Sequence, residues 1–306
     1  MAKKRIDTLI PDIYELLDHD TKGSLMDSAL DKFGESCGTA LHRAVASPER
    51  GKRPDKTVYA SELRDFEVCH RKMWYKIHQP WEAETLLPHN RIKFLYGDLT
   101  ESLLIFLAEQ AGHEVTHMQA EVETKHLGIT IRGRMDCKID GELVDIKSAS
   151  SPAYKRMTHP DYDPYNDMFS YHRQLQFYDK DSIHGMGDPY LLIMDKQLGT
   201  LHLKRTPGYS DVELEAIFAE AHHVWNWSIT TPVDVPKNIW VGDEDTTNGN
   251  RKLKTYCSYC PFKSKCWADQ GKPLTGYLYS HGPVWLTEVN KAPKVREIYN
   301  VGSVSL

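Results

Sequence analysis

The residues best suited to chemistry lie in two short segments near the middle of the chain. Gly133-Arg134-Met135-Asp136 is followed, nine residues after the aspartate, by Asp145-Ile146-Lys147. Two carboxylates can hold a hard divalent cation, and a neighbouring ammonium group can position an attacking water. If the two segments meet in space, their side chains are suited to hydrolysing phosphodiester bonds.

The pattern around these residues predicts how they meet. Residues 129–139 alternate between apolar and polar side chains, which predicts one strand. An Asp-Gly dipeptide follows as a strong hairpin signal, and residues 142–147 form the returning strand. On that strand Asp145 and Lys147 share a face, so the hairpin predicts that both converge with Asp136. The ordinary alternative is a solvated pair of charges across a hairpin.

Two further polar groups lie on predicted helices. Gln174 and Tyr178 are one helical turn apart, so their side chains point the same way. Upstream, the apolar spacing of Phe94–Leu107 predicts a helix that carries Glu101, four residues after Gly97. A carboxylate on a mostly buried helix is costly unless it meets a cation, which makes Glu101 a candidate metal ligand.

Four of the six cysteines form a second pattern, with Cys69 far upstream and Cys257, Cys260 and Cys266 as a C-x2-C-x5-C run. Three clustered thiols commonly indicate a zinc site with a fourth ligand nearby. No histidine follows the run within the usual few residues. The other two cysteines, Cys37 and Cys137, fall outside the pattern and are expected to be small hydrophobic residues.

Taken in order, these segments resemble the RecB-type branch of the PD-(D/E)XK nuclease superfamily. The matching elements are Gly-x3-Glu, G-x-x-D, D-x-K, Q-x3-Y and the cysteines, and they span Cys69 to Cys266. Many members carry His where this chain has Glu101. The resemblance implies an α/β fold with a restriction-endonuclease-like core, in which helices flank a central mixed sheet. A mainly helical, Cys-containing lobe accompanies that core.

The resemblance also implies a function and its residues. The expected activity is a magnesium- or manganese-dependent DNA exonuclease that processes ends for recombination, repair or phage DNA metabolism. The implied metal ligands are Glu101, Asp136, Asp145 and the main-chain carbonyl of Ile146. Lys147 would orient the attacking water and stabilise charge on the phosphate. Gln174 and Tyr178 would help to hold the DNA and the catalytic groups.

The cysteines receive their expected role from the same resemblance. CRISPR-associated RecB-like exonucleases, AddB-type helicase-nucleases and several phage exonucleases share this arrangement of one early cysteine and a late trio. In those proteins the four thiolates hold a [4Fe–4S] cluster that joins the two ends of the chain. We therefore expect Cys69, Cys257, Cys260 and Cys266 to hold such a cluster in a structural role.

Composition sets the remaining expectations. The chain has 306 residues and a net charge of −5, which is not typical of a protein that coats DNA. Clustered cysteines favour a reducing compartment, and no apolar leader or membrane-length run is present. We expect a cytoplasmic protein, in the host cytoplasm if phage-encoded, without a membrane partner. The expected divisions are an N-terminal helical extension (1–57), a nuclease core (58–228), an iron–sulfur lobe closed by Cys69 (229–276) and a tail (277–306).

Two alternatives remain open at this point. An endonuclease of the same fold would use identical chemistry and differ only in how the strand reaches the site. A non-catalytic module that binds nucleic acid or a partner would keep the fold without the reaction. The expected partners are DNA, single-stranded or with accessible ends, and a helicase or recombination protein.

Overall fold

A computed structural model gives the fold of the chain. It describes residues 4–18, 27–46, 53–85, 88–166, 171–181, 188–207, 211–226, 234, 242–280 and 282–298. The chain divides into two compact units. The first comprises Met1–Ser61 and Leu87–Ala216, and the second comprises Glu62–Leu86 and Ile217–Leu306.

The described helices and strands are as follows. The helices are α1 (Leu9–Asp18), α2 (Asp27–Ala46), α3 (Leu63–Val68), α4 (His70–His78), α5 (Pro88–Gln110), α6 (Ser151–Thr158), α7 (Tyr171–Asp181), α8 (Asp211–Trp225), α9 (Thr255–Ser258) and α10 (Lys263–Ala268). The strands are β1 (Thr57–Tyr59), β2 (Val115–Thr116), β3 (Glu121–His126), β4 (Ile129–Arg134), β5 (Cys137–Ile139), β6 (Glu142–Ala149), β7 (Tyr190–Asp195), β8 (Leu201–Arg205), β9 (Asp243–Asp245), β10 (Arg251–Leu253), β11 (Thr275–Tyr279), β12 (Gly282–Glu288) and β13 (Arg296–Ile298). None of the described helices is long and apolar enough to cross a membrane.

The first unit contains a mixed sheet of five strands in the order β2-β5-β6-β7-β8. Strands β6 and β7 are parallel, whereas the other neighbours are antiparallel. Since parallel neighbours need a long connection, the chain between β6 and β7 forms α6 and α7. A smaller sheet has the order β1-β4-β3. The predicted α/β class with a mixed sheet and flanking helices is confirmed.

One face of the five-stranded sheet carries the core of this unit. Helices α1 and α5 contribute Ile6, Leu9, Ile13, Leu104 and Ala108 with the adjoining turn, and the sheet contributes Cys137, Ile139, Val144, Ile146 and Leu192. Successive side chains of a strand point to opposite faces. Because Val144 and Ile146 face this core, Asp145 and Lys147 point to the opposite face of β6.

A buried histidine connects the first helix to the hairpin. The imidazole of His113 lies 3.1 Å from a carboxylate oxygen of Asp12 on α1 and 2.7 Å from one of Asp140 in the β5–β6 turn. The other carboxylate oxygen of Asp140 accepts the backbone N–H of Glu114. Residues near the N-terminus thus help to hold the turn that sets the register of β5 and β6.

The predicted hairpin is present. Cys137 pairs with Val144, and Ile139 pairs with Glu142. The two turn residues both have positive φ, at 54° and 94°, as a two-residue turn of this kind requires. Asp-Gly suits the turn because glycine carries no Cβ and aspartate tolerates left-handed backbone better than most residues.

The prediction of one continuous strand over residues 129–139 is wrong. The chain breaks between β4 and β5, which belong to different sheets. The segment between β2 and β3 lies opposite this break. In it, His117 and Gln119 both adopt left-handed backbone conformations, with φ of 53° and 54°. Gln119 N–H donates to the carbonyl of Asp136 at 2.9 Å, which fixes Asp136 at the bend.

Residues 152–167 are rich in Pro, Asp and Tyr, a composition that predicts a loop. Residues 151–158 form α6 instead, with Pro152 in its first turn, where a missing N–H costs nothing. Tyr154 and Tyr162 are engaged within the fold. The hydroxyl of Tyr154 donates to a carbonyl of β8 at 3.2 Å, and the Lys204 ammonium lies 4.4 Å from the centroid of the Tyr162 ring.

The second unit holds the cysteine pattern and differs from the expected mainly helical lobe. Besides helices, it contains a sheet of five strands in the order β13-β11-β12-β10-β9. Residues 282–298, expected to belong to a tail, supply two of those strands. The sequence did not reveal this sheet, because its two outer strands have only three residues each and are too short for a clear alternation.

Candidate active site

Asp136 lies at the bend between β4 and β5, next to the strand that carries the D-x-K residues. One of its carboxylate oxygens accepts the backbone N–H of Ile146 at 2.8 Å. The bend therefore brings the first aspartate onto the middle of β6. The main-chain carbonyl of Ile146, the expected fourth metal ligand, belongs to the residue whose N–H makes this contact.

Asp145 and Lys147 form a close pair on the face of β6 opposite the core. Lys147 Nζ lies 2.6 Å from Oδ2 of Asp145. Asp145 is only 1% exposed, and its Oδ1 has no hydrogen-bond partner among the described residues. Burial raises the pKa of Asp145 to about 7, and the charge of Asp136 adds to the effect although Lys147 opposes it.

The Lys147 ammonium is held in its charged form. Burial disfavours the charge, but the carboxylates of Asp145 and Asp136 outweigh burial and raise the pKa of Lys147 above its ordinary value. The ring centroid of Tyr171 on α7 lies 5.0 Å from the ammonium. In this arrangement Lys147 is a hydrogen-bond donor and a positive charge, not a general base.

Glu101 on α5 faces the same group of charges. Burial raises its pKa to about 7, and the negative charges of Asp136 and Asp98 raise it further, whereas Lys147 lowers it. The side-chain amide of Gln119 donates a hydrogen bond to Glu101 Oε1. The structure thus brings Glu101, Asp136, Asp145 and Lys147 into one electrostatic cluster.

Two further residues beside this cluster, Asp98 and Gln119, were not identified from the sequence. Asp98 is three residues before Glu101, so both lie on one side of α5. Its carboxylate lies 3.4 Å from Arg43 on α2. Helical spacing could have revealed Asp98. No local pattern could have revealed Gln119, because its position depends on the interruption between β2 and β3.

The predicted Gln174 and Tyr178 pair is formed on α7. The Gln174 side-chain amide donates to the Tyr178 hydroxyl at 2.8 Å, and the backbone N–H of Arg134 donates to the same oxygen at 3.3 Å. A Cβ added to Gly133 would lie 2.4 Å from a ring carbon of Tyr178. The glycine of G-x-x-D therefore leaves room for the tyrosine, which is buried and positions the end of β4.

The chemistry of the carboxylate cluster fits a divalent cation. No three His, Cys, Asp or Glu side chains in the described parts of the chain are close enough together to hold one metal ion. Each predicted carboxylate ligand instead has a protein donor: Ile146 N–H for Asp136, Lys147 for Asp145 and Gln119 for Glu101. A set of carboxylate oxygens, with the pKa values of Glu101 and Asp145 raised, suits magnesium or manganese once these contacts rearrange.

A second candidate site lies within the second unit. Cys69, Cys257, Cys260 and Cys266 line one cavity together with aromatic and lysine side chains. Burial raises the pKa of the Cys260 thiol to about 12 and that of Cys266 to about 11, and the neighbouring sulfurs add to both effects.

Two donors approach one of these sulfurs. A guanidinium nitrogen of Arg71 lies 4.0 Å from Cys266 Sγ, and the Gln270 side-chain amide lies 3.8 Å from it. Such donors stabilise a thiolate, the form in which cysteine binds metal. The cavity therefore suits a cationic group that four thiolates can share. Cys137 instead lies in the core of the first unit, as expected of a small hydrophobic residue.

Comparison with known proteins gives the family. Residues 6–267 match the PD-(D/E)XK nuclease superfamily, so the match covers most of the chain. The protein belongs to this superfamily of nucleases, whose members hydrolyse phosphodiester bonds. No curated protein sequence matches the chain.

Two solved structures are similar to parts of the chain. The crystal structure of SSO0001 aligns with a TM-score of 0.45 and 16% identity, covering 76% of this chain and 96% of that one. An alkaline exonuclease, LHK-Exo from Laribacter hongkongensis, aligns with a TM-score of 0.35 and 14% identity, covering 55% of this chain and 86% of that one.

The raised pKa of Asp145 predicts how stability depends on pH in the absence of divalent ions. Between pH 3.8, the ordinary pKa, and pH 7, the folded carboxyl keeps a proton that the unfolded chain has lost. Stability should therefore fall as pH rises through this range, by on the order of 4 kcal/mol for Asp145. Urea unfolding with a chelator present should give a larger free energy of unfolding at pH 5 than at pH 8.

The variant Asp145→Asn should reduce that difference, because it removes the titrating carboxyl. Glu101 should preserve part of the difference. The exposed Asp161→Asn serves as a control and should keep the full dependence. An unchanged pH dependence in Asp145→Asn would contradict the assignment of the raised pKa to this carboxyl.

Proposed function

We propose that this protein is a magnesium- or manganese-dependent deoxyribonuclease that removes nucleotides from DNA ends. The observation that carries the proposal is the buried Asp145–Lys147 pair beside Asp136. Such a desolvated carboxylate is costly for stability, and a module that only binds nucleic acid has no need of it. Membership of a nuclease superfamily supports the same reaction class.

The proposed ligands of the divalent ion are Glu101, Asp136, Asp145 and the main-chain carbonyl of Ile146. The ion supplies a Lewis acid that offsets negative charge on the phosphate. Asp145 would share in holding the ion, and the Lys147 ammonium, 2.6 Å from Asp145 Oδ2, would supply a positive donor beside it. Lys147 then orients the attacking water and stabilises the charge that develops on the phosphate.

Gln174 and Tyr178 have a positioning role in this proposal. Tyr178 is buried, so it acts through its contacts with Gln174 and with the backbone at Arg134. These contacts fix the end of β4, from which the chain continues directly to Asp136. Gln174 is half-buried and lies on the exposed side of this pair, where its side chain can also reach the DNA.

The preference for DNA ends rests on the RecB-type order of the motifs. That order places G-x3-E, G-x-x-D, D-x-K and Q-x3-Y between the first cysteine and the cysteine trio. Enzymes of this branch act in recombination and repair, which makes a helicase or a recombination protein the proposed partner. The alternative is an endonuclease with the same residues, since only access of the strand to the site differs.

One digestion experiment tests these possibilities. End-labelled linear DNA, single- and double-stranded, is incubated beside closed circular DNA with magnesium, manganese, calcium or a chelator. The proposal expects release of nucleotides from linear DNA with magnesium or manganese and little turnover with calcium, which is larger and less demanding in geometry. Cleavage of circles would indicate the endonuclease, and binding without cleavage in any metal would indicate the non-catalytic module. Robust cleavage in excess chelator would exclude the proposed mechanism.

Substitution of the lysine tests the site itself. Lys147→Ala should reduce kcat by about 100-fold or more while changing DNA affinity little, because its donor acts mostly in the transition state. Lys125→Ala, at an exposed lysine on β3, is the control and should retain normal turnover. Single-turnover kinetics and a separate binding measurement distinguish the two effects. Near-normal turnover in Lys147→Ala would disprove the role of this residue.

We further propose that Cys69, Cys257, Cys260 and Cys266 hold one [4Fe–4S] cluster in a structural role. The support is their common cavity and the approach of the Arg71 and Gln270 donors to Cys266 Sγ, which favours the thiolate that binds metal. Cys69 comes from the first segment of the second unit, and the trio comes from the last. The cluster would join these segments across a long loop, which stabilises the folded state.

Purification under anaerobic conditions tests the cluster. The protein should be brown, and Cys69→Ala or Cys260→Ala should lose iron and sulfide and unfold at lower temperature. Cys37→Ala and Cys137→Ser are the controls and should keep the colour. Iron, sulfide and zinc analysis gives the readout. If the analysis found one zinc ion and neither iron nor sulfide, the four cysteines would form a zinc site instead of the cluster. The proposed nuclease activity would not be affected by that result.

A further inference from the structure

Helix α5 carries an exposed aromatic residue on the side that leads to the carboxylate cluster. Phe94 is 59% exposed, an unusual degree for a phenylalanine, and Glu101 lies seven residues further along the helix. Residues three, four and seven apart share a side of an α-helix. Phe94 and Glu101 therefore lie on one side, separated by about 10 Å along the axis.

A glycine lies between these two residues on the same side. A Cβ added at Gly97 would meet no atom of the described residues within 4 Å, so none of them fills the space beside it. Glycine inside a helix is destabilising by about 1 kcal/mol relative to alanine. Gly133, in strand β4, has a different environment, because the ring of Tyr178 packs directly against it. At Gly97 no described residue packs in this way, so the helix backbone is uncovered between Phe94 and Glu101.

The charges along this side suit a phosphate backbone. Arg91 lies one turn before Phe94 on the same side of the helix. Arg43 on α2 reaches the side chain of Asp98 at 3.4 Å and so offsets that negative charge. Arg91 thus precedes Phe94 on this side of the helix, and Glu101 with the rest of the carboxylate cluster follows it.

We propose that Arg91, Phe94 and Gly97 form a binding track for an unpaired DNA strand that leads into the carboxylate site. In this track the Phe94 ring stacks on a base, and the space beside Gly97 lets the sugar–phosphate backbone pass close to the helix. An aromatic platform with flanking cations is the usual means of binding single strands without sequence preference. The track rests on the proposed function, because it assigns a substrate form to the same site.

The distance along the helix fixes which nucleotide is stacked. About 10 Å corresponds to roughly three nucleotides at the rise of a stacked strand. The stacked base is therefore within about three nucleotides of the phosphate at the site. An isolated exposed aromatic residue is common on protein surfaces and needs no explanation. Phe94 differs because the vacant space at Gly97 and the carboxylate at Glu101 follow it on one side of the same helix.

Binding of a labelled single-stranded 12-mer, measured in excess chelator so that no hydrolysis occurs, tests the track. Phe94→Ala should weaken binding by roughly five- to one-hundred-fold, as expected for loss of one base–aromatic stack. Ile92→Ala is the matched control, because Ile92 is 53% exposed on the opposite side of the same turn. It should change affinity by less than about twofold. A dinucleotide, too short to extend from the site to Phe94, should bind both variants equally.

Substitution of Gly97 should raise the stability of the protein and weaken its binding of the single strand. Gly97→Gln should raise the unfolding midpoint, since glutamine is a better helix former, and should weaken binding by filling the space beside the helix. Gly34→Gln on α2 is the control, because an added Cβ there also meets no atom within 4 Å. It should give the same gain in stability with unchanged binding.

A tryptophan at position 94 provides a direct readout that does not depend on a loss of function. Fluorescence of Phe94→Trp should be quenched by the 12-mer, and that of Ile92→Trp should not. Equal effects at positions 92 and 94, or unchanged binding in Phe94→Ala and Gly97→Gln, would overturn the track even if the enzyme hydrolyses DNA. If the protein hydrolyses no DNA but Phe94→Trp is quenched and Phe94→Ala binds more weakly, the binding track would be supported and the proposed function would be wrong.

Discussion

Burial of the Asp145 carboxylate inside a sheet is the constraint on which the candidate site depends. A buried carboxylate is strongly destabilising unless a positive charge meets it. Lys147 provides one positive charge, but Asp136 and Glu101 bring two further carboxylates to the same place. The cluster therefore has more negative charge than its own lysine can balance. Burial first, and then this charge, raise the pKa values of Asp145 and Glu101 to about 7. This imbalance would be relieved by a cation, as the proposed function requires.

The surrounding fold keeps these like charges together. On β6, Val144 and Ile146 point into the core beneath α1 and α5, and the same strand must then present Asp145 and Lys147 on its other face. The hairpin register places Asp136 beside Ile146, and the bend at Asp136 is held by a main-chain hydrogen bond from Gln119. Local instability at the carboxylates is thus offset by apolar packing on the opposite face. Such an arrangement is typical of functional sites.

The second unit also buries ionisable groups close together, and these are cysteine thiols in place of carboxylates. Its two chain segments supply buried thiols to one cavity, and the pKa values of these thiols are raised by burial and by each other. Arg71 and Gln270 reach Cys266 Sγ, so donors that favour a thiolate are already in place. In the proposed function, both units would hold a cation among buried side chains. Folding and cation binding are therefore expected to be coupled.

The sequence by itself determined the hairpin, the pairing of Asp145 with Lys147, the helix that carries Glu101 and the Gln174–Tyr178 contact. Each of these depends on residues close in the chain, through alternation along a strand, a turn dipeptide or one helical turn. Tertiary structure alone decided the break at Asp136, the contact of Gln119 with Glu101 and the packing of Tyr178 against Gly133. It also decided that residues 243–298 contain a sheet. These features depend on pairing between strands far apart in sequence, which no local periodicity records, because the free energy that selects them comes from burial against distant neighbours.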